Sequence, residues 1–207
     1  MITPVPEFWK VFKETPGAFS CAEALALRNI CLQSPKGVWV ELGSHKGKSS
    51  MVIASSLYPT STLYLVEPEF KDENWLSSVV EKVSVHTPFI PMAAYSLDVL
   101  HEFKELAFCF VDSGVHDDMV MQECKLLEDK IIEGGVIAFH DYLNQFTAVE
   151  RAYNYLLSTG KYEEIKINWQ EIFDYVAEHD LENGNVSWHL YENLGHPPNF
   201  IGAVRKK

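Results

Sequence analysis

The sequence has few cysteines and no long hydrophobic run. Its four cysteines form no CxxC pair, and three have apolar neighbours. We therefore expect reduced, packed thiols rather than disulfides or a metal cluster. No run approaches the ~20 apolar residues that a transmembrane helix needs. The first ten residues carry acidic and aromatic side chains and lack the apolar core of a secretory signal. These absences predict a cytoplasmic protein with no membrane partner.

Basic residues are also scarce relative to acidic ones. The chain has 17 Lys and Arg against 29 Asp and Glu, which gives a net charge of −12. A body this acidic repels phosphate backbones, so we do not expect a nucleic-acid partner. The 207 residues, 47% of them hydrophobic, are enough for one globular domain with its own core.

Strand-like and helix-like segments alternate along the chain. The pattern predicts strands at 38–42, 63–66, 84–90, 106–111, 136–139 and 201–204. Ser20 and Glu23 form a capping-box pattern at a helix start, and Val120, Cys124, Leu127 and Ile131 lie at helical spacing. Residues 162–207 otherwise suggest weaker strands and a long loop. This alternation predicts an α/β fold with a mostly parallel sheet.

Four acidic residues stand at or just past the ends of predicted strands: Glu41, Glu67, Asp112 and Asp141. The carboxyl ends of parallel strands meet at one edge of a sheet, where ligands bind. Four carboxylates there would be costly if they were dry and unpaired. We therefore expect them to hold ligand hydroxyls, a cation or ordered water.

The turn that follows the first predicted strand, residues 43–49, allows three interpretations. Its two glycines let a ligand approach the backbone, and the next helix offers free N–H groups. The turn reads Gly-x-x-x-Gly, so it lacks the GxGxxG dinucleotide fingerprint. It is one residue shorter than a phosphate-binding loop, which leaves a nucleotide-dependent NTPase or phosphotransferase as an alternative. The third interpretation is an S-adenosylmethionine site, in which Glu67, 26 residues after Glu41, accepts hydrogen bonds from both ribose hydroxyls.

Three motifs in order give the sequence a specific resemblance. Residues 38–50 read VWVELGSHKGKSS, residues 63–70 read LYLVEPEF, and residues 110–142 read FVDSGVHDDMVMQECKLLEDKIIEGGVIAFHDY. Together they resemble the class I S-adenosylmethionine-dependent methyltransferases, in the small-molecule group called family 24. That group is related to catechol O-methyltransferases and to cephalosporin-type and macrocin-type antibiotic methyltransferases. The resemblance covers about residues 16–142, and again 201–206.

The resemblance implies a Rossmann-like, seven-stranded and mostly parallel sheet, with helices on both faces and an antiparallel last strand. Within a single domain over residues 1–207, we expect an N-terminal helical cap at 1–36 and a cofactor-binding core at 37–142. Residues 143–207 are expected to shape the substrate site, because variable loops carry specificity. The aromatic content is compatible with a homodimer.

The resemblance also implies a set of site residues. It assigns S-adenosylmethionine to Glu41, Gly43, Ser44, His45, Gly47, Ser49, Glu67, Ser96 and Asp112. A divalent metal ion, Mg²⁺ or a similar cation, would be held by Asp112, His140 and Asp141. His116 is the candidate base that deprotonates an acceptor hydroxyl, with Asp112 also in the catalytic set. The sequence therefore predicts methyl transfer to a small molecule at oxygen, with a catalytically silent cofactor-binding protein as a further alternative.

Overall fold

The computed structural model describes residues 6–114, 118–142, 147–181 and 201–207. In these ranges the strands are β1 (Val38–Leu42), β2 (Thr62–Val66), β3 (Phe89–Met92), β4 (Leu106–Val111), β5 (Ile131–Phe139), β6 (Tyr162–Glu164) and β7 (Gly202–Lys206). The α-helices are α1 (Pro6–Glu14), α2 (Cys21–Cys31), α3 (Lys48–Ser56), α4 (Glu73–Val83), α5 (Ser96–Val99), α6 (Met119–Leu127), α7 (Thr147–Ser158) and α8 (Trp169–Glu178).

The strands form one seven-stranded sheet in the order β3-β2-β1-β4-β5-β7-β6. Strands β1 to β5 pair in parallel, whereas β7 is antiparallel to both β5 and β6. The chain reverses direction across the sheet between β1 and β4, which is the point where open α/β sheets bind ligands. This topology confirms the predicted Rossmann-like fold with an antiparallel last strand.

Helices cover both faces of the sheet, and strand alternation decides which side chains meet which helices. Phe108 and Phe110 of β4 belong to the core that includes α1, α2, α3, α4 and α8. Cys109 and Val111 belong to the opposite core, beneath α5, α6 and α7. All six residues of β4 are buried, as expected for a central strand packed on both faces.

The four cysteines are all buried and free: Cys21, Cys31, Cys109 and Cys124. Burial raises the pKa of the Cys21 thiol to about 11, so the thiolate is disfavoured. The expectation that the cysteines are packing residues is confirmed, and their reduced state stays a prediction. Among the described residues, no helix combines the length and hydropathy needed to cross a membrane.

Three predicted elements were wrong in extent or type. Ile131 does not continue a helix, because α6 ends at Leu127 and Ile131 pairs with Leu106 as the first residue of β5. The third strand is Phe89–Met92 rather than 84–90; it lies at the sheet edge, where Pro91 is tolerated.

The third error concerns residues 162–181, which contain a helix as well as a strand. Helix α8 is capped by Asn168, whose side chain accepts a hydrogen bond from the backbone N–H of Glu171. Ile172 and Val176 are buried, and α8 packs against α2. The spacing of these apolar residues is helical, so the signal was present in the sequence and was missed.

Candidate functional site

A pocket of about 530 Å³ opens at the carboxyl edge of the sheet. The loops after β1, β2, β3, β4 and β5 all contribute to it, together with the segment before α2 and the first residue of α6. Its lining includes a glycine of the first turn, several acids and two serines: Gly43, His45, Glu67, Tyr95, Ser96, Asp112, Ser113, Met119, His140 and Asp141. Three of the four strand-end acids thus meet in one pocket.

Glu67 is a carboxylate of this lining that the backbone holds at both of its oxygens. It is 7% exposed, and its Oε2 accepts the backbone N–H of His45 at 2.8 Å. Its Oε1 accepts the backbone N–H of Glu69 at 3.2 Å. Each carboxylate oxygen has two lone pairs, so one on each remains for a ligand. The arrangement can therefore accept two further hydrogen bonds from adjacent hydroxyls.

The turn after β1 lies unusually close to the end of β4. Gly43 has φ 89°, and a Cβ there would lie 2.3 Å from the carbonyl oxygen of Asp112. Only glycine fits this approach. Gly47 has φ 83° and directly precedes α3. Gly43 lines the pocket, whereas Gly47 does not. Gly47 therefore shapes the turn without lining the pocket.

His45 contributes to the site through its backbone as well as its position in the pocket lining. It has φ 42° and donates its N–H to Glu67. Its carbonyl oxygen accepts the indole N–H of Trp75 from α4 at 2.7 Å, and the two rings are 5.3 Å apart. Helix α4 thus holds the turn in the conformation that aims a donor at Glu67.

Glu41 lies beneath the turn and is not part of the pocket lining. It is fully buried and accepts a hydrogen bond from the Ser50 hydroxyl. Burial raises its pKa to about 7, although the nearby hydroxyls of Ser49, Ser50 and Ser44 act in the opposite direction. Ser44 and Ser49 are also buried outside the lining. Direct cofactor contact by these residues therefore stays a prediction.

Lys48 argues against the phosphate-loop alternative. In a phosphate-binding loop the lysine reaches the phosphates, but here its Nζ donates to the carbonyl oxygen of Gly17 at 3.3 Å. The same Nζ lies 4.9 Å from the centre of the Phe12 ring. Lys48 is 7% exposed and absent from the pocket lining. The cation is thus engaged by the N-terminal segment.

The fold brings together the three predicted metal ligands. His140 Nδ1 lies 3.1 Å from Asp112 Oδ1 and 3.5 Å from Asp141 Oδ2. One donor atom from each residue falls within 4.8 Å of the others. Asp141 has φ 57°, a backbone conformation that aspartate tolerates better than most residues. The donor atoms and spacing of this cluster suit a cation, and metal binding stays a prediction.

Glu23 is a site residue that the sequence analysis missed. Its Oε1 lies 3.1 Å from His140 Nε2, while its Oε2 accepts the backbone N–H of Ser20 at 2.7 Å. The predicted capping box is confirmed, but the same carboxylate also reaches the site. Burial alone would lower the pKa of His140; Asp112, Asp141 and Glu23 together raise it well above its usual value.

Ser96 and Ser113 line the pocket on the side of α6. Both hydroxyls donate to Oε1 of Glu123, a fully buried residue of α6. The sequence predicted Ser96 but not its partner, because a glutamate on a helix is usually a solvated residue. Burial raises the pKa of Glu123, although the hydrogen bonds from the two serine hydroxyls act to lower it. The candidate base His116 lies outside the described residues.

Comparison with known proteins places this site in a family. A family described as "Methyltransferase domain" matches residues 40–142, which span β1 to the end of β5 and most of the pocket loops. A search of curated proteins finds no significant match.

Solved methyltransferase structures share the fold at low sequence identity. An O-methyltransferase from Bacillus cereus in complex with SAH is 13% identical, with a TM-score of 0.68 over 99% of this chain and 93% of that chain. The O-methyltransferase TomG from Streptomyces achromogenes, involved in tomaymycin synthesis and in complex with SAM, is 17% identical, with a TM-score of 0.63 over 81% and 85%.

An rRNA methylase from Streptococcus thermophilus is 12% identical, with a TM-score of 0.55 over 88% of this chain and 93% of that chain. The fold therefore accommodates different acceptors, and the acceptor has to be argued from the site. The family match, the sheet topology and the three ordered motifs agree with one another and not with a nucleotide-dependent phosphotransferase. The chain is a methyltransferase and belongs to this methyltransferase-domain family.

Proposed function

We propose that the protein transfers a methyl group from S-adenosylmethionine to a hydroxyl oxygen of a small molecule. The observation that carries the proposal is the Glu67 carboxylate in the pocket wall. Both of its oxygens are fixed by backbone N–H groups, and each keeps a free lone pair. This geometry suits the two neighbouring hydroxyls of a ribose.

The order of the loops suggests which residues would hold each part of the cofactor along the edge of the sheet. Glu67 would hold the ribose, and the turn at Gly43, where the absence of a side chain permits close approach, would hold the methionine portion. Ser96, in the segment after β3, would border the base. Asp112 would border the sulfonium end, next to the cluster formed with His140 and Asp141.

The acceptor end of the pocket fits a divalent cation. Adjacent ligands of a six-coordinate ion with ~2.1 Å bonds lie about 3 Å apart. His140 Nδ1 is 3.1 Å from Asp112 Oδ1, which matches this spacing, and 3.5 Å from Asp141 Oδ2, which is slightly longer. Glu23 faces Nε2 in the way carboxylates support histidine ligands. Asp112, His140 and Asp141 would hold the ion. When bound, it would lower the pKa of an acceptor hydroxyl.

Holding the acceptor in line with the methyl group is the protein's main task, because methyl transfer gains much of its rate from positioning. The cluster binds and orients the hydroxyl opposite the sulfonium. His116, four residues after Asp112, takes the hydroxyl proton as general base in this proposal.

The acceptor is proposed to be a small molecule because the net charge of −12 opposes nucleic-acid binding. The proposal extends to a cytoplasmic protein acting as one domain and compatible with a homodimer. In that domain residues 1–36 form the cap, 37–142 the cofactor-binding core, and 143–207 shape the acceptor site. Ala18 of the N-terminal segment lines the pocket, which supports a role for the cap.

Ligand-dependent stability tests the cofactor assignment. Thermal unfolding is measured with S-adenosylhomocysteine or Mg-ATP, each at about 100 times a dissociation constant in the micromolar range. S-adenosylhomocysteine should stabilise the protein by about 2.7 kcal/mol, and Mg-ATP should not. Stabilisation by Mg-ATP alone would overturn the proposal.

Chelation tests the cation. In an acceptor screen of phenols and catechols with mass-spectrometric detection, EDTA should suppress methylation, and Mg²⁺ or Mn²⁺ added in excess should restore it. The variant His140→Ala should lose this metal response while still binding S-adenosylhomocysteine. Full methylation in EDTA would show that the cluster works without a metal and would leave His116 as the activator of the acceptor.

A further inference from the structure

Glu123 is buried, and the mechanism proposed above does not use it. It is 0% exposed, and its Oε2 has no hydrogen-bond partner among the residues that the structure describes. Burying a carboxylate costs free energy unless hydrogen bonds compensate for the lost hydration. Those bonds are made entirely by Oε1, which accepts the hydroxyls of Ser96 and Ser113.

The two serines reach Glu123 from different loops. Ser96 is the first residue of α5 after β3, and Ser113 follows β4. Just past β4 the two neighbouring side chains diverge: Asp112 contacts His140, whereas Ser113 contacts Glu123 of α6. Both serines line the same pocket. Glu123 therefore connects the two loops that border the expected position of the base.

The direction of these hydrogen bonds fixes the polarity of the pocket wall. Each serine hydroxyl has one hydrogen and two lone pairs. When that hydrogen is donated to Glu123, only lone pairs remain to face the pocket. A proton on Oε2 would not change this, because Oε1 would still accept both hydroxyls. The serines are thus acceptors toward a ligand, and not donors.

We propose that Glu123 is a positioning residue that makes Ser96 and Ser113 a paired acceptor site for the exocyclic amino group of a 6-aminopurine and against a 6-oxopurine. An amino group has two N–H donors and no acceptor, which matches two oxygen acceptors. A carbonyl oxygen at the same position would face lone pairs. Sites built for hydrogen-bond donors reject analogues that lack them much more strongly than apolar pockets do.

The inference rests on the proposed function, since it requires the cofactor in this pocket. The direct test is calorimetric titration of the full chain with S-adenosylhomocysteine and with S-inosylhomocysteine, which differ at this position and the adjacent ring nitrogen. The wild-type protein should prefer the adenosyl compound by about tenfold or more. Binding of neither compound would refute the proposed function itself. Binding of both with equal affinity would refute only the role of Glu123.

The variant Glu123→Met tests the mechanism of selection. Methionine fills a similar volume but offers no strong acceptor, so the hydroxyl hydrogens of Ser96 and Ser113 are released and can face the pocket. The preference for the adenosyl compound should fall to within about threefold, mainly through tighter binding of the inosyl compound. A folded Glu123→Met protein that keeps the wild-type preference would overturn the proposal.

Two further variants keep the test decisive if Glu123→Met does not fold. Ser96→Ala and Ser113→Ala each remove one acceptor, so each should weaken adenosyl binding several-fold and leave inosyl binding unchanged or improved. Equal losses for both compounds would contradict the inference. Glu128→Gln is the matched control: it removes an acid paired with Lys161 just past the end of α6 and should leave the preference unchanged.

Discussion

The two ends of the pocket are built in different ways. At the ribose end, Glu67 is held by backbone N–H groups of residues 2 and 22 positions away in the chain. At the acceptor end, His140 is held by side chains, including Glu23, which lies 117 positions away. The first end depends on the conformation of local turns, and the second depends on how α2 packs on the sheet.

This difference separates binding from chemistry. Backbone donors carry no net charge and cannot titrate, so the groups that orient Glu67 do not change with pH. Side-chain partners at His140 make its protonation, orientation and cation binding depend on the surrounding carboxylates. We therefore expect substitutions at the ribose end to change cofactor affinity, and substitutions at the acceptor end to change turnover.

The largest effect should come from Glu67→Ala. Removing both acceptors from the ribose hydroxyls should weaken S-adenosylhomocysteine binding about 100-fold, since hydrogen bonds to charged groups contribute roughly 1.5–3 kcal/mol each. Isothermal titration measures the change. Glu69→Ala is the control, because Glu69 is exposed and its contribution to the site is its backbone N–H. Equal losses of S-adenosylhomocysteine affinity in the two variants would contradict the distinction between the ribose end and the acceptor end.

A smaller effect is expected from Glu23→Gln. Glutamine can still form the capping box, but its neutral side chain interacts more weakly with His140. Turnover in the acceptor screen should fall about tenfold, while the affinity for S-adenosylhomocysteine changes less than about threefold. Ser20→Ala separates the two roles of Glu23: it should cost about 1 kcal/mol of stability and leave turnover intact. If both variants lowered turnover alike, Glu23 would act only through the helix.

The smallest effect concerns Glu41, beneath the turn at the ribose end. Its pKa of about 7 in the folded chain exceeds the usual value of ~4.3, so the folded state retains a proton that the unfolded state releases. Stability must then fall as pH rises from about 4.5 to 7. Glu41→Gln should flatten this decline and raise stability at pH 8 by about 1 kcal/mol. Urea unfolding at several pH values measures it, and an unchanged slope would contradict the assignment.

Much of the fold could be predicted because its signals are local. Residues 38–42 and 106–111 were predicted with the observed limits of β1 and β4, since continuous apolar runs between glycines or acids are typical of buried strands. The Ser20–Glu23 cap was predicted from two residues and is present. The edge strand β3 was misplaced because a strand with one neighbour needs little hydrophobic pattern. Helix α8 was missed because its aromatic residues are compatible with either a helix or a strand.

The ribose end of the site follows from the sequence, whereas the buried glutamates that support the acceptor end and the serines near the base do not. Glu67 and the Gly43 turn are recognisable because the chemistry and the backbone geometry both lie within short segments. Glu23 and Glu123 could not be assigned, because a glutamate on a helix is usually a solvated residue or a cap. Only the packing of α2 and α6 on opposite faces of the sheet brings these two carboxylates to His140 and to the serines. Because both carboxylates are buried, their hydrogen bonds to neighbouring side chains decide the polarity of the pocket.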